Sequence, residues 1–518
     1  MIPAPANSGT GLILEQPRNS NLPQSAPFMI TRIDISGNTL FDSATLHGLV
    51  SDMEGQEHTL NELNSAVDRI SDFYHSHGYP LARAYVPAQT LQDGVVKIFV
   101  IEARYGEIHL NNSSLVDDDV IQSTLSALRA QDFVEQTRLD RTLLLLSDMP
   151  GLVSSATLEP GQNVGTSDLT IETQATPPLS ANGTIDNYGN QYTGRARLTG
   201  TLNWIAPLHQ ADVLSLNLLT AGRNMNSGSL TYETLISGQG TRLGGTASDL
   251  SYRLGDGLSA LQGHGTAQTA SLWLHYPWQR SVDMNVNAQL QLDYKNLKDD
   301  IDSTGIYTNR HLDVAQFMLS GDARSNVLAG AQTSFSVLLR AGEETFDNAA
   351  AQALDEKSAH AEGGFVKFNV NFSRLQNFSQ DTSMYMSLST QWANGNLDSS
   401  EKMVAGGAYS VRAYDMGALS GDLGVLHSLE LRENLFEIMG GPLQAALFTD
   451  NQYVKINADP WVAGTNGAHL HGAGLGFNWA NDSGWHVRLY GAAPTGSVPE
   501  LLKIKKSVRT WAEIGAWF

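Results

Sequence analysis

The residue whose setting invites a chemical role is Arg412. It stands in a glycine-fenced stretch, Gly406 to Gly424 (GGAYSVRAYDMGALSGDLG), directly flanked by Val411, Ala413 and Tyr414. A later segment carries Phe448-Thr449-Asp450. As a strand, it puts Phe448 and Asp450 on one face with Gln444 and Ala446, and Leu443, Ala445 and Leu447 on the other. An arginine and a carboxylate brought to one interior face form a charge-assisted pair. Such a pair is strong when bidentate and costly to break from one side. That chemistry holds a loop; it makes no bonds. The bond-making alternatives find no support. The sequence has no Gly-x-Ser-x-Gly elbow and no HExxH. It has no cysteine, hence no disulfide, thiolate metal site or cysteine nucleophile. Gly472 to Phe477 (GAGLGF) looks like a nucleotide loop, but Ala473, Leu475 and Phe477 alternate against the glycines as in a strand, without a βαβ context. His469 and His471 share a strand face, lack a third ligand, and are read as polar residues of the inner face. No catalytic residue, cofactor or metal site is expected.

Such a pair needs a scaffold that turns one face inward, and the chain beyond Pro177-Pro178 supplies the pattern. Ala196, Leu198, Leu202 and Trp204 alternate with Arg195, Arg197, Thr199, Thr201 and Asn203. Between Met284 and Lys295 six apolar residues strictly alternate with six polar ones, and Val366 to Ser373 and Met384 to Ser389 repeat the pattern. A soluble sandwich also alternates. Two features favour a membrane: segments of about ten residues or more suit tilted spanning strands, and Trp204, Tyr276, Trp278 and Tyr294 fall near expected strand ends, like an interfacial girdle. About 340 residues at roughly 20 per strand and connection give about sixteen strands, enough for an aqueous lumen. The expected fold is mainly β: a transmembrane antiparallel barrel over 177–518. Val508, Thr510, Ala512, Ile514, Ala516 and Phe518 share a face of the last strand, which ends on an aromatic facing lipid.

Bulk properties agree. Mean hydropathy is −0.21, and no run of eighteen apolar residues encodes a membrane helix; alternating barrel strands average to such mild polarity. A net charge of −21 argues against a nucleic-acid partner. The start, MIPAPANSGTG, lacks a basic n-region and an apolar h-region, and fits either a cytoplasmic start or a mature secreted chain.

Two small modules are expected between the leader (1–26) and the barrel. In the first, 27–104, Met29 to Asn38 reads as a strand with Ile30, Arg32 and Asp34 on one side and Ile33 and Ile35 on the other. Two helices follow, the second opened by the capping box Thr59–Glu62 and striped by Leu63, Ala66, Val67, Ile70, Phe73 and Tyr74. Two strands around Asp93-Gly94 complete a β-α-α-β-β unit. The pattern restarts over 105–176, with helices Asp117 to Leu128 and Glu135 to Leu146, which makes an internal repeat. A small open sheet leaves edges that add an extended chain by β-augmentation, with little demand on the client's sequence.

The wording of both modules resembles the POTRA domains of TpsB transporters. It does so through Ile35-Ser36-Gly37-Asn38-Thr39, His77-Gly78-Tyr79 and Val86-Pro87-Ala88-Gln89, then Leu143 to Gly151 (LLLLSDMPG) and Leu158-Glu159-Pro160-Gly161. Tyr79, Pro87, Gln89, Pro150 and Gly151 are the candidate client-binding positions. Val411-Arg412-Ala413-Tyr414 resembles the family's VRGY/F tetrad, with Ala413 for the usual Gly, which implies that the 406–424 loop folds inward into the barrel. Phe448-Thr449-Asp450-Asn451-Gln452 resembles its F-x-D-x-G, with Gln452 for the Gly. The resemblance implies a bacterial outer-membrane transporter of two-partner secretion, with periplasmic POTRA domains. It also implies a pore-plugging helix, expected within 5–18, and a sixteen-stranded barrel acting as a monomer. The partner would be a secreted β-helical exoprotein recognised by its N-terminal secretion domain (TpsA- or CdiA-like), alongside outer-membrane lipid. CdiB transporters of contact-dependent inhibition toxins are the favoured subgroup, and a BamA/TamA-type insertase is the rival reading.

Overall fold

The computed structural model describes residues 12–14, 26–502 and 507–518. The chain divides into two compact units, the first running to Thr176 and including Ser237–Gln239, the second made of Pro177–Ile236 and Gly240–Phe518. In the first unit, helices Ser43–Gly48 and Leu60–Ser76 cover a three-stranded sheet in which Val95–Ile101 lies between Arg32–Ser36 (parallel) and Arg83–Tyr85 (antiparallel). The Thr59–Glu62 capping box is formed, and Leu63, Ala66, Val67, Ile70 and Tyr74 bury the expected stripe. One expectation needs correction. Met29 to Asn38 is two strands, Phe28–Ile30 and Arg32–Ser36, because Thr31 leaves the ladder to donate its N–H to Gly94 and its hydroxyl to Asp93. The break shifts the parity, so Ile30 and Ile33 are both buried. A strand missed in the sequence, Gln56–His58, pairs with Phe28–Ile30.

The second module repeats the plan with strand Arg104–Ser113, helices Asp118–Leu125 and Gln136–Ser147, and strands Leu152–Pro160 and Thr166–Ala175. Its sheet gains a further member from the leader: Leu12–Leu14 pairs in parallel with the outer strand, Leu12 opposite Ala156 and Leu14 opposite Leu158. The helix expected within 5–18 is therefore corrected at these three residues, where an unpaired sheet edge satisfies the backbone better than an isolated turn of helix. The remainder of that span lies outside the described residues.

The second unit is a closed antiparallel barrel of sixteen strands among the described residues. They are β1 (Leu179–Asp186), β2 (Arg197–Ile205), β3 (Val213–Thr220), β4 (Met225–Leu235), β5 (Arg242–Arg253), β6 (Gly263–Arg280), β7 (Met284–Ile301) and β8 (Ile306–Ser325). There follow β9 (Ala331–Phe346), β10 (Gly363–Asn377), β11 (Thr382–Ala393), β12 (Leu423–Ile438), β13 (Gly441–Lys455), β14 (Gly467–Ala480), β15 (Trp485–Pro494) and β16 (Arg509–Trp517). The expected alternation holds: Leu198, Leu202, Trp204, Leu290, Leu292, Phe368 and Leu447 are exposed outward, while Asp293, Lys367, Phe448 and Asp450 are buried inward. So large an apolar outer surface calls for lipid. Tyr294 is not at a strand end as expected. β7 runs on to Ile301, and strands this long, at about 3.3 Å per residue, outrun an apolar band about 25 Å tall. The barrel closes where β1 meets β16, Asn182 opposite Trp517 through Asp186 opposite Glu513, and Ala181 and Phe518 exchange two backbone hydrogen bonds. Among the described residues no helix is long and apolar enough to cross a membrane.

Candidate functional site

The connection between β11 and β12 builds the site. Its two legs pair as a small hairpin, Met403–Ala405 against Leu419–Gly421. Beyond this neck the tip reverses direction at Gly406, Gly407 and Gly417, whose φ values of +87°, +116° and +68° are left-handed conformations that a side chain would strain. The tip lands on the inner face of β12 to β14. There Val411, Ala413 and Tyr414 pack with Phe448, Val454, Ala468, Leu470 and Ala492 in one buried cluster.

Arg412 is 6% exposed. Its Nε donates to Asp450 Oδ2 at 2.9 Å and its Nη2 to Asp450 Oδ1 at 2.8 Å, the bidentate geometry that planar guanidinium favours. The Arg412 backbone N–H also donates to Asp450 Oδ2, at 3.1 Å. The guanidinium carbon lies 3.3 Å from the centroid of the Phe448 ring. The i, i+2 spacing of Phe448 and Asp450 thus supplies a stacking face and a counter-ion from one side of one strand. A second carboxylate, not foreseen from sequence, completes the site. Glu430 of β12 accepts from Arg412 Nη1 at 2.8 Å and from Arg432 Nε at 2.7 Å. Two cations and two carboxylates leave the buried cluster neutral, as low dielectric requires. The signal for Glu430 was its parity in β12, legible only once β12 is known to pair with β13, with Glu430 opposite Phe448.

Both departures from the family wording have physical accounts. Gln452 replaces the usual Gly and makes two bonds to the loop, accepting from Ser410 Oγ and donating to the Val404 carbonyl. Ala413 does not adopt a left-handed φ. Its methyl fits against Gly472, where an added Cβ would come within 2.5 Å of it. The glycines of the Gly472–Phe477 run therefore form a bay: Gly472 admits the loop tip, and Gly474 admits the Phe448 ring. Trp511 of β16 donates its indole N–H to the Arg412 carbonyl at 2.7 Å, and Asp415 accepts from both Arg195 and Arg509. The histidine reading needs correction. His469 and His471 lie on the same face as Ala473 and Leu475, the outer one, because side chains two apart cannot change sides. Leu470 is the residue turned inward, and His471 pairs with Asn451.

In the first unit the five candidate positions do structural work. Tyr79 packs edge-on against Phe41 and Phe133. Gln89 makes two hydrogen bonds to the Lys97 backbone, standing in for a missing strand partner. Pro87 is half-buried, Pro150 begins the turn into Leu152–Pro160, and the Gly151 carbonyl accepts from Leu115 and Thr176. Glu102 was not foreseen. Burial would raise its carboxyl, yet donors from the Thr39 hydroxyl, the Thr39 and Leu40 N–H groups and the Tyr74 hydroxyl hold it below the usual carboxylate value.

Residues 165–479 match the family described as haemolysin secretion/activation protein ShlB/FhaC/HecB, and residues 28–103 match the POTRA domain of ShlB type. The chain belongs to the ShlB/FhaC/HecB family. It is an outer-membrane transporter of two-partner secretion whose POTRA domains lie in the periplasm. The chain is similar to the heme/hemopexin transporter protein HuxB of Haemophilus influenzae strain 86-028NP, 26% identical over 492 residues, covering 93% of this chain and 86% of the relative. It is similar to the outer membrane transporter CdiB of Escherichia coli O6:K15:H31, 26% identical over 499 residues, covering 90% and 79%. The fold matches the solved structure of CdiB from Escherichia coli with a TM-score of 0.74, at 20% identity, over 97% of this chain and 93% of that one.

Proposed function

We propose that the Arg412 loop is the gate of an export conduit, with residues 1–26 as leader, 27–104 and 105–176 as the two client-handling POTRA domains, and 177–518 as the barrel. The observation that carries this reading is the burial of Arg412 between Asp450 and Glu430 on the inner wall. A charged loop tip seated in a lumen is a stopper whose release requires that its counter-ions be answered in another way. The client is an unfolded, secreted β-helical exoprotein entering through its N-terminal secretion domain, and the transporter works as a monomer and makes no bonds. The leader strand Leu12–Leu14 occupies the edge of the second module, so client and leader compete for one edge by β-augmentation. Tyr79, Pro87, Gln89, Pro150 and Gly151 shape the modules that present that edge. The fuller coverage of the match to the heme/hemopexin transporter HuxB supports a haem-linked client, and the match to CdiB keeps an inhibition toxin as the second candidate.

The test is export by Arg412→Ala. Secretion of the partner is expected to fall at least tenfold, as one lost buried ion pair of about 3–5 kcal/mol would allow, while the barrel still assembles. Unchanged secretion would remove the loop from the mechanism.

A further inference from the structure

The loop has a second, separate attachment to the wall. Before the neck, Glu401 is fully buried and its carboxylate meets three cations from three strands: Lys295 of β7, Arg340 of β9 at 2.8 Å and Lys367 of β10 at 2.7 Å. The Glu401 carbonyl accepts from Lys367 and from Gln391 of β11. One turn earlier, Asp398 accepts from Arg310 of β8, which also holds Asp299, and Leu397 is sealed among Leu297, Leu312, Val314 and Phe365. This stem attachment uses β7 to β11. The tip attachment uses β12 to β16 together with Arg195 of the β1–β2 connection, and the two share no residue. Between them lie the neck, where Lys402 pairs with Asp422, and then Gly406, Gly407 and Gly417.

The two attachments differ in what their loss leaves behind. If the tip withdraws, Glu430 keeps Arg432 and Asp450 keeps Ser428, at 2.7 and 2.6 Å. If the stem withdraws, Lys295, Arg340 and Lys367 face one another; among the described residues the one carboxylate then within ion-pair distance of them is Asp293, 4.0 Å from Arg340, which also keeps the Gln316 amide oxygen. Repulsion among cations without a counter-ion opposes that motion. We propose that Glu401 is the fixed anchor of the loop, and that gating moves only the tip, 408–416, hinging at Gly406-Gly407 and Gly417 while the stem stays on β7 to β11. Glu401 is then a positioning residue: it holds the hinge in place and offsets part of the charge of three lumen-wall cations. This rests on the reading of the loop as the conduit's gate.

The chain has no cysteine, so single introduced thiols report each end in the full-length protein in lipid. Val411→Cys is buried while the tip is seated, and Leu397→Cys while the stem is seated. Added to these reporters, Arg412→Ala should speed maleimide labelling at 411 by about tenfold and leave 397 protected. Glu401→Gln should speed labelling at 397 instead. It should also raise the chloride-over-potassium permeability ratio in planar bilayers by roughly twofold, because three cations lose their carboxylate. If Glu401→Gln fails to assemble, Glu401→Gln with Lys367→Met serves for both readouts. Equal labelling of both thiols in Arg412→Ala would show the loop moving as one body and overturn the proposal. So would no change at 411 in Arg412→Ala, or a protected 397 and unchanged selectivity without Glu401. Secretion by Arg412→Ala is scored separately: normal secretion defeats the gate, whereas the labelling pattern decides the anchor.

Discussion

At the residue scale the site is defined by geometry that a like-charged substitute cannot reproduce. Arg412→Lys keeps the charge but offers no planar fork for Asp450 and no flat face for Phe448. Export by Arg412→Lys is therefore expected to match Arg412→Ala rather than the parent, as secretion of the partner would show. Gly472 sits where any side chain meets the Ala413 methyl. Gly472→Val should unseat the tip without touching a charge, read as larger or more frequent conductance openings. In the first POTRA domain, Glu102 gathers the turn at Thr39-Leu40. Its folded pKa lies below the unfolded one, so its contribution to stability is fully present above about pH 4.3 and is lost as pH falls through the lower, folded value. The protection factors of the Thr39 and Leu40 amides, corrected for intrinsic exchange, should fall over that acid range. In Glu102→Gln they should already be low at neutral pH, by about 1–3 kcal/mol of lost protection.

At the scale of elements, the leader strand matters most. Among the described residues the leader contributes three paired positions to this edge, Leu12 to Leu14, and an edge strand can be exchanged for another. Ile13→Pro, in the middle of the paired residues, should free the edge strand Leu152–Pro160. Client affinity should then rise by on the order of tenfold if the leader normally occupies the edge nine-tenths of the time. Titration of the full-length variant with the client's N-terminal region measures this, and unchanged affinity would place client binding elsewhere. The repeated β-α-α-β-β units and the alternating strands were legible because each rests on local periodicity and turn chemistry. Thr31 was not, because its departure from the ladder is caused by Asp93 and Gly94, far away in sequence.

For the whole molecule, conduit and insertase differ in where the client leaves. The β1–β16 junction is paired over Asn182 to Asp186 and closed again by Ala181 and Phe518, while the lumen holds a charged, hinged loop. Both features suit passage through the barrel better than passage through its side. Capture by the full chain from the source cell's unfolded periplasmic and secreted proteins is expected to yield one large exoprotein. Recovery of many barrel precursors would favour the insertase.

Alternation of side chains is a property of neighbouring residues, so sequence alone determined that this chain turns one apolar face outward over 177–518 and needs about sixteen strands. It also marked Arg412 and Asp450, whose unusual surroundings are written in contiguous residues. It could not reveal which charges meet across the lumen. Glu430 joins Arg412, and Glu401 joins Lys295, Arg340 and Lys367, only after barrel closure sets strand register and the loop turns inward. Those partners are separated by 18 to 106 residues and carry no local pattern. Tertiary structure alone decided them, because pairing of buried charges is set by the shape of the space that excludes water.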